Sequence, residues 1–415
     1  MSQRVVVTGL GTVSPYGVGV RRLWDGIRQN KSGLKYDQTL GVVVGSVPRG
    51  EDEGNFNVNE FTVRDQREMS IPTLLTLKGV EEALQNADLH QVDREFHRDT
   101  AVNIGMGIAD LEEIHKTGTL IENGKSRQVG PFFVPKILTN IPGGYVALKY
   151  GFKGGNSSST TACATGLTCI AESFAQIQAG RVRRAVAGSV ESCLNQISVV
   201  GFQRMRALAS KTDTLDDTHY SVSRPFDTNR NGFLLSEGAG IVVLERLDDA
   251  KARGAKIYAE ILGYGISNDA YHLTSPHPDG LASEWSIRRC LTDSGLSPDD
   301  VQYVNAHATS TKVGDKAEAI SIARLFGSNV ALSSLKGHLG HCVSAAGSIE
   351  TIASITALCN GKIPPTLNLQ STDIEEDIDL VQGDWRDWPK CSRRVVVKNS
   401  FGFGGAFVSL AFAQI

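Results

Sequence analysis

Cys163, in Ser157-Ser158-Ser159-Thr160-Thr161-Ala162-Cys163-Ala164-Thr165-Gly166, stands where a nucleophile would be useful. The stretch before it is small and polar. After it, Leu167, Ile170, Phe174 and Ile177 recur at three- and four-residue spacing, the pattern of one buried helix face. The cysteine thus falls at a strand-to-helix junction beside the helix's free N–H groups. Their partial positive charge favours thiolate, the nucleophilic form, over thiol. A second reading stays open here: most buried cysteines are small apolar filler. That reading is given to Cys169, Cys193, Cys290, Cys342, Cys359 and Cys391.

Three other segments offer partners for such a nucleophile. Asn305-Ala306-His307-Ala308-Thr309-Ser310-Thr311 follows the apolar run 301–304, and Leu335-Lys336-Gly337-His338-Leu339-Gly340-His341 follows another at 330–333. A histidine just past a strand end sits at a sheet rim, where α/β proteins gather ligand sites. Taken alone, such a histidine is more often structural. Asn399-Ser400-Phe401-Gly402-Phe403-Gly404-Gly405 lacks the lysine and threonine of a phosphate loop, and no helical pattern follows it. Phenylalanines among glycines suit a mobile loop with an apolar plug. The common position of these segments after strands leads us to expect one composite site.

The elements that must hold such a site are short apolar strands alternating with helices, the pattern of α/β layers around buried sheet. Strands are expected near 5–8, 102–106, 184–187, 240–244, 257–264, 301–306, 330–333 and 395–398. A helix is expected over 345–357, and helix plus surface loop over 109–130. The charged stretch 245–256 is expected to connect two halves, 1–250 and 251–415. Similar strand-and-helix runs suggest their duplication, without a residue-level repeat.

A chain of 415 residues, 41% of them hydrophobic, has ample core for two such halves. A net charge of −3 provides no overall field for nucleic acid, so any basic site must be local. Seven cysteines, an odd count without a CxxC pair, point to reduced thiols rather than a zinc site or disulfide framework. No apolar run reaches the roughly 18 residues of a membrane span. The opening Arg4-Val5-Val6-Val7-Thr8-Gly9 reads as a strand, which leaves no room for a leader. The expected location is the cytoplasm for a bacterial chain or the mitochondrial matrix for a eukaryotic one, not the cell exterior.

Thr161-Ala162-Cys163, the 305–311 segment, Lys336 with Gly340-His341, and the 399–405 loop carry a resemblance. Together they resemble a β-ketoacyl-acyl-carrier-protein synthase of the KAS I/II group, in order and spacing, over essentially the whole chain. Pro131-Phe132-Phe133-Val134-Pro135, Ser223-Arg224-Pro225-Phe226-Asp227, Asp269-Ala270-Tyr271-His272 and Pro364-Pro365-Thr366-Leu367-Asn368 add to it. Ala308 and Phe132-Phe133-Val134-Pro135-Lys136-Ile137-Leu138 lean toward mitochondrial members. The resemblance implies a thiolase-like α/β fold, duplicated and stacked in five layers α-β-α-β-α, usually as a homodimer. It implies decarboxylative condensation of an acyl thioester with malonyl-acyl carrier protein in fatty acid biosynthesis.

The resemblance also distributes roles. Cys163 would carry the acyl group, because a thiolate is both nucleophile and leaving group. His307 and His341, as neutral imidazoles, would donate N–H bonds to the enolate. Lys336 would organise the site, paired with Glu350, and the backbone N–H groups of Cys163 and Phe403 would form an oxyanion hole. Gly402, Phe403 and Gly404 would gate the entrance. Thr274, Thr309 and Thr311 would bind the phosphopantetheine arm, and Gly107, Ile108 and Phe202 would line the acyl pocket. Arg64, Arg67, Arg127 and Arg206 would meet the acidic carrier protein. No metal is implied, and no cofactor beyond the phosphopantetheine that carries the substrates. His341 is preferred to His338 because a glycine directly precedes it, five positions after the lysine.

Two departures from the pattern stand out. Ala406-Phe407 replace the usual threonine and asparagine, and Glu68 stands where many bacterial relatives carry a basic residue. Other proteins on this fold are alternatives: a polyketide-type ketosynthase, a noncatalytic chain-length-factor-like partner, or a thiolase. Cys163, His307 and His341 together argue against the noncatalytic partner. The 402–407 loop lacks the second cysteine that a thiolase needs.

Overall fold

A computed structural model describes residues 3–91, 96–209 and 219–415. The main strands are β1 (Val5–Ser14), β2 (Thr100–Met106), β3 (Asn156–Ser157), β4 (Arg184–Glu191), β5 (Gly238–Arg246), β6 (Ala259–Asn268), β7 (Tyr303–Asn305), β8 (Ala331–Ser333), β9 (Asp379–Leu380), β10 (Val395–Gly402) and β11 (Ala406–Ala413). The helices that cover them are α1 (Ile71–Asn86), α2 (Thr165–Gln178), α3 (Leu281–Ser294), α4 (Lys312–Phe326) and α5 (Ala346–Asn360). All the expected strands form. Strand β11 lies outside the expected set, although Val408, Leu410 and Phe412 alternate as a strand should.

Strand order across the sheet is β9-β8-β7-β10-β11-β6-β1-β5-β4-β2-β3. The same order occurs twice within it: β1, β5, β4, β2, β3 outward in one direction and β6, β11, β10, β7, β8 in the other. In each run the first two junctions are antiparallel and the next two parallel. Strands β1 and β6 join the runs, with residues 5–7 antiparallel to 259–261. Duplication invisible in the residues is plain in the topology.

Successive residues of a strand point to opposite faces, and here both faces are buried. Val242 and Leu244 of β5 enter a central core with α2 and α5, while Ile241 and Val243 meet α1. On β11, Leu410 and Phe412 enter the same central core, while Ala411 and Ala413 meet α3 and α4. The result is five layers, α-β-α-β-α.

The ends of α2 and α5 meet in the middle layer. A three-residue turn precedes each, Ala162–Ala164 and Val343–Ala345. The first residue of each turn has positive φ, 49° at Ala162 and 45° at Val343, a region that residues with a Cβ rarely adopt. Gly166 and Gly347 follow at matching positions. A Cβ on Gly166 would stand 2.7 Å from the Ser348 nitrogen, and one on Gly347 would stand 3.0 Å from that of Leu167. Only glycine permits this approach. It carries Cys163 to the segment that leads into α5.

Two expectations need correction. The 245–256 stretch is not all connector, because Glu245 still belongs to β5 and lies inside the protein. Its carboxylate accepts the Thr8 hydroxyl at 2.6 Å and pairs with Arg184 and Arg253 at 2.9 and 2.5 Å. Burial alone would raise its pKa, but these partners win and hold it below the usual range. The connection proper is the short helix Leu247–Ala252 and the turn after it. All seven cysteines are free, but Cys359 and Cys391 are exposed and are not core filler. Among the described residues, no helix is long and apolar enough to cross a membrane.

Candidate active site

Cys163 lies in the turn ahead of α2 and is 8% exposed. Neighbouring hydroxyls fix the turn. The Thr161 N–H donates to Thr165 Oγ1 at 2.9 Å, and the Thr160 hydroxyl donates to the Met106 carbonyl at 3.1 Å. Gly402 of β10 closes over it: a Cβ there would stand 2.2 Å from the Thr161 carbonyl oxygen. Any side chain at 402 would force the hairpin off the nucleophile turn. Burial opposes the expected thiolate preference. Burial pushes the Cys163 thiol up to about 12; Lys336 pulls against it and Glu191 adds to the rise. The direction favours the thiol, so a nucleophilic role would require the proton to leave during attack.

His307, just past β7, and His341, in the segment before α5, present rings 5.4 Å apart at 80°. Both open with Cys163 onto one cavity of ≈ 430 Å³. Burial, helped by Lys336 and Lys398, pulls both histidines well below their ordinary pKa. Both are neutral at pH 7. The Nδ1 atom of each is sealed away without a partner, so Nε2 is the nitrogen available to a ligand. One acylatable sulfur and two neutral N–H donors thus share a cavity.

Residues 2–250 match the β-ketoacyl synthase N-terminal domain, and residues 258–370 match the C-terminal domain of the same family. The chain belongs to the β-ketoacyl synthase family. A mitochondrial 3-oxoacyl-[acyl-carrier-protein] synthase of Arabidopsis thaliana is 39% identical, over 100% of this chain and 94% of that protein. 3-Oxoacyl-[acyl-carrier-protein] synthase 2 of Synechocystis is 38% identical, over 99% of this chain and 98% of that one. A chain from the solved complex of a type II PKS acyl-carrier protein with its ketosynthase is 30% identical. It superimposes with a TM-score of 0.88, covering 100% of both chains.

In this β-ketoacyl synthase the remaining expected residues divide between the cavity and other places. Thr274, Thr309, Thr311, Gly402 and Phe403 line the cavity, with the Thr309 and Thr311 hydroxyls 3.2 Å apart. Gly404 is exposed at the hairpin tip with φ 88°, its N–H bound to the Leu273 carbonyl at 2.7 Å. Ile108 and Phe202 do not line this cavity. They pack with Cys163, Val199 and Phe233 in an apolar cluster. A Cβ at Gly107 would stand 2.8 Å from Glu191 Oε2, so that position holds a close approach rather than open pocket wall.

Arg206 lines the cavity mouth, whereas Arg64, Arg67 and Arg127 are exposed away from it. Arg64 is paired with Glu68 at 2.9 Å, and the Arg67 guanidinium lies 5.9 Å from the Phe132 ring centre. The departure at Glu68 therefore neutralises one member of the basic set. Phe407, the other departure, is buried with its ring centre 4.6 Å from that of Phe401, which in turn lies 5.4 Å from His307. That packing ties the base of the 402–406 hairpin to a site histidine.

His338 is fully buried, lies outside the cavity lining and has no hydrogen-bond partner on either ring nitrogen. Burial takes it down to about 3. Lys336 pairs with Glu350 at 2.7 Å, both sealed from solvent. Three polar residues escaped the sequence reading. Glu318 of α4 accepts the N–H groups of His307 and Ala308 at 2.9 and 2.7 Å and the Asn399 amide at 3.0 Å, pinning the histidine loop to β10. Glu191 accepts the Ser344 hydroxyl at 2.8 Å, and Lys398 reaches the second oxygen of Glu350 at 2.6 Å. A charged residue inside a strand or helix reads as exposed until both faces are known to be covered. Among the described residues, no cluster of His, Cys, Asp and Glu could hold a metal.

Proposed function

We propose that this chain is a 3-oxoacyl-[acyl-carrier-protein] synthase that extends an acyl thioester by two carbons. The observation that carries this is the convergence of Cys163, His307 and His341 on one cavity. Cys163 sulfur attacks the acyl carbonyl, its proton passes to the departing pantetheine sulfur, and the N–H groups of Cys163 and Phe403 receive the oxyanion. Malonyl carrier protein then loses CO₂. The resulting enolate oxygen takes N–H bonds from His307 and His341 while its carbon attacks the thioester and expels the Cys163 thiolate. Thr274, Thr309 and Thr311 hold the pantetheine arm along the cavity, and the Gly402-Phe403-Gly404 hairpin admits the acyl chain.

In this reading residues 1–250 form the half with the nucleophile, and residues 251–415 form the half with both histidines and the gate. Two copies associate, supported by the free sheet edge at β3 and by exposed Val134 and Leu148. The compartment is the mitochondrial matrix if the chain is eukaryotic and the cytoplasm if it is bacterial.

Purified protein given acyl and malonyl carrier protein should release one CO₂ for each 3-oxoacyl product. No product, or repeated extension without release, would reject fatty acid elongation, the latter in favour of polyketide synthesis. Ile108→Phe should shorten the longest acyl chain accepted while leaving short-chain acylation of Cys163 intact, because added bulk fills the cluster behind the sulfur. An unaltered chain-length profile would remove Ile108 from the pocket.

The carrier protein is acidic in this reading and docks on Arg67, Arg127 and Arg206, with Arg64 weakened by Glu68. Arg206→Glu should raise KM for carrier-protein substrates about tenfold and flatten its salt dependence, while sparing acyl-CoA at high concentration. Equal loss with both donors would make Arg206 structural.

A further inference from the structure

Lys398 is on β10, fully sealed from solvent, and no step above uses it. Its Nζ lies 2.6 Å from Glu350 Oε2, while Lys336 Nζ lies 2.7 Å from Oε1 of the same carboxylate. Nζ also donates to the carbonyls of Asn399 at 2.6 Å and of Ala306 at 3.3 Å. Ala306 directly precedes His307. A second buried carboxylate, Glu318, holds the N–H groups of His307 and Ala308. Without Lys398, one ammonium would face two carboxylates in a site closed to water. That excess negative charge would resist any new anion forming beside it.

We propose that Lys398 is a positioning residue for decarboxylation: sharing Glu350 with Lys336 and gripping the Ala306 carbonyl, it balances the buried carboxylates behind His307 and His341. This rests on the condensing function proposed above. The groups facing its ammonium are Glu350 from α5, Lys336 from the segment before α5, Glu318 from α4, and the two histidines. Burial pulls Lys398 down to about 8; Glu350 resists the fall and Lys336 adds to it. Below that pH the group is charged. As pH rises through it the proton is lost and two carboxylates again face one ammonium, so enolate formation should weaken on the alkaline side.

The test measures CO₂ release from malonyl carrier protein between about pH 6.5 and 9.5, in the unsubstituted protein and in Lys398→Met, with Cys163 acylation followed in parallel. In the unsubstituted protein, release should decline as pH passes about 8. Lys398→Met should be about tenfold slower at pH 7, a smaller loss than removal of a direct donor gives. It should lack the alkaline decline and acylate Cys163 with less impairment. A variant with unchanged release and the same decline overturns the inference. Should the variant not fold, a flat profile in the unsubstituted protein overturns it alone. Absence of CO₂ release at every pH would overturn the proposed function, and the inference with it.

Discussion

Cys163→Ala is expected to abolish condensation and acyl transfer while leaving measurable release of CO₂ from malonyl carrier protein. In the proposed cycle the sulfur forms and breaks the thioester, whereas the proposed donors to the enolate, His307 and His341, line the same cavity and stay in place. Mass spectrometry after incubation with acyl carrier protein should find one added acyl group in the unsubstituted chain and none in the variant. The exposed thiols Cys359 and Cys391 provide the hard test. An acyl group mapped to either of them, with Cys163 unmodified, would sink the assignment. Because burial holds the Cys163 thiol up to about 12, acylation should accelerate as pH rises across neutrality, ahead of any full ionisation.

Loss of either histidine is the second large effect. His307→Ala or His341→Ala should slow decarboxylation about a hundred- to a thousandfold, the usual consequence of losing one preorganised donor. Acylation of Cys163 should suffer less. Both rings are held neutral by burial and by the two lysines, so acidification to about pH 6 should not protonate them or quench the reaction. His338→Ala should disturb folding stability rather than the chemical step, since that ring is buried outside the cavity. If His338→Ala reproduces the catalytic loss and His341→Ala remains active, His338 and not His341 is the donor.

Local chemistry made part of this site legible. Leu167, Ile170, Phe174 and Ile177 declared α2, and the histidines announced themselves by following apolar strands. The strands themselves were readable because sheets covered on both faces leave near-continuous apolar runs. What stayed hidden depends on contacts across the chain. Lys398 is separated from Glu350 by 48 positions, and Glu318 serves a backbone on another element. The opposition at Cys163 was hidden for the same reason: the helix end is a local feature, whereas burial comes from the whole fold. Likewise Ile108 and Phe202 join the apolar cluster that holds Cys163 through packing that no spacing announces.

The paired turns ahead of α2 and α5 give the molecule its own control experiment. Ser344 stands in the second turn where Cys163 stands in the first, after a residue held at the same unfavourable φ. Each such residue stores on the order of 1–3 kcal/mol of backbone strain. Yet Ser344 Oγ is occupied, 2.8 Å from the Val190 carbonyl and 2.8 Å from Glu191 Oε2, and does not line the cavity that Cys163 opens onto. The strained geometry therefore belongs to the duplicated scaffold and not to the chemistry. One copy exposes its central atom to substrate; the other uses the equivalent atom as a strut between the two halves. The reactivity proposed for Cys163 must then come from what surrounds the turn, the sulfur, the open cavity and the neutral histidines, because the turn alone is present twice and opens onto the cavity only once.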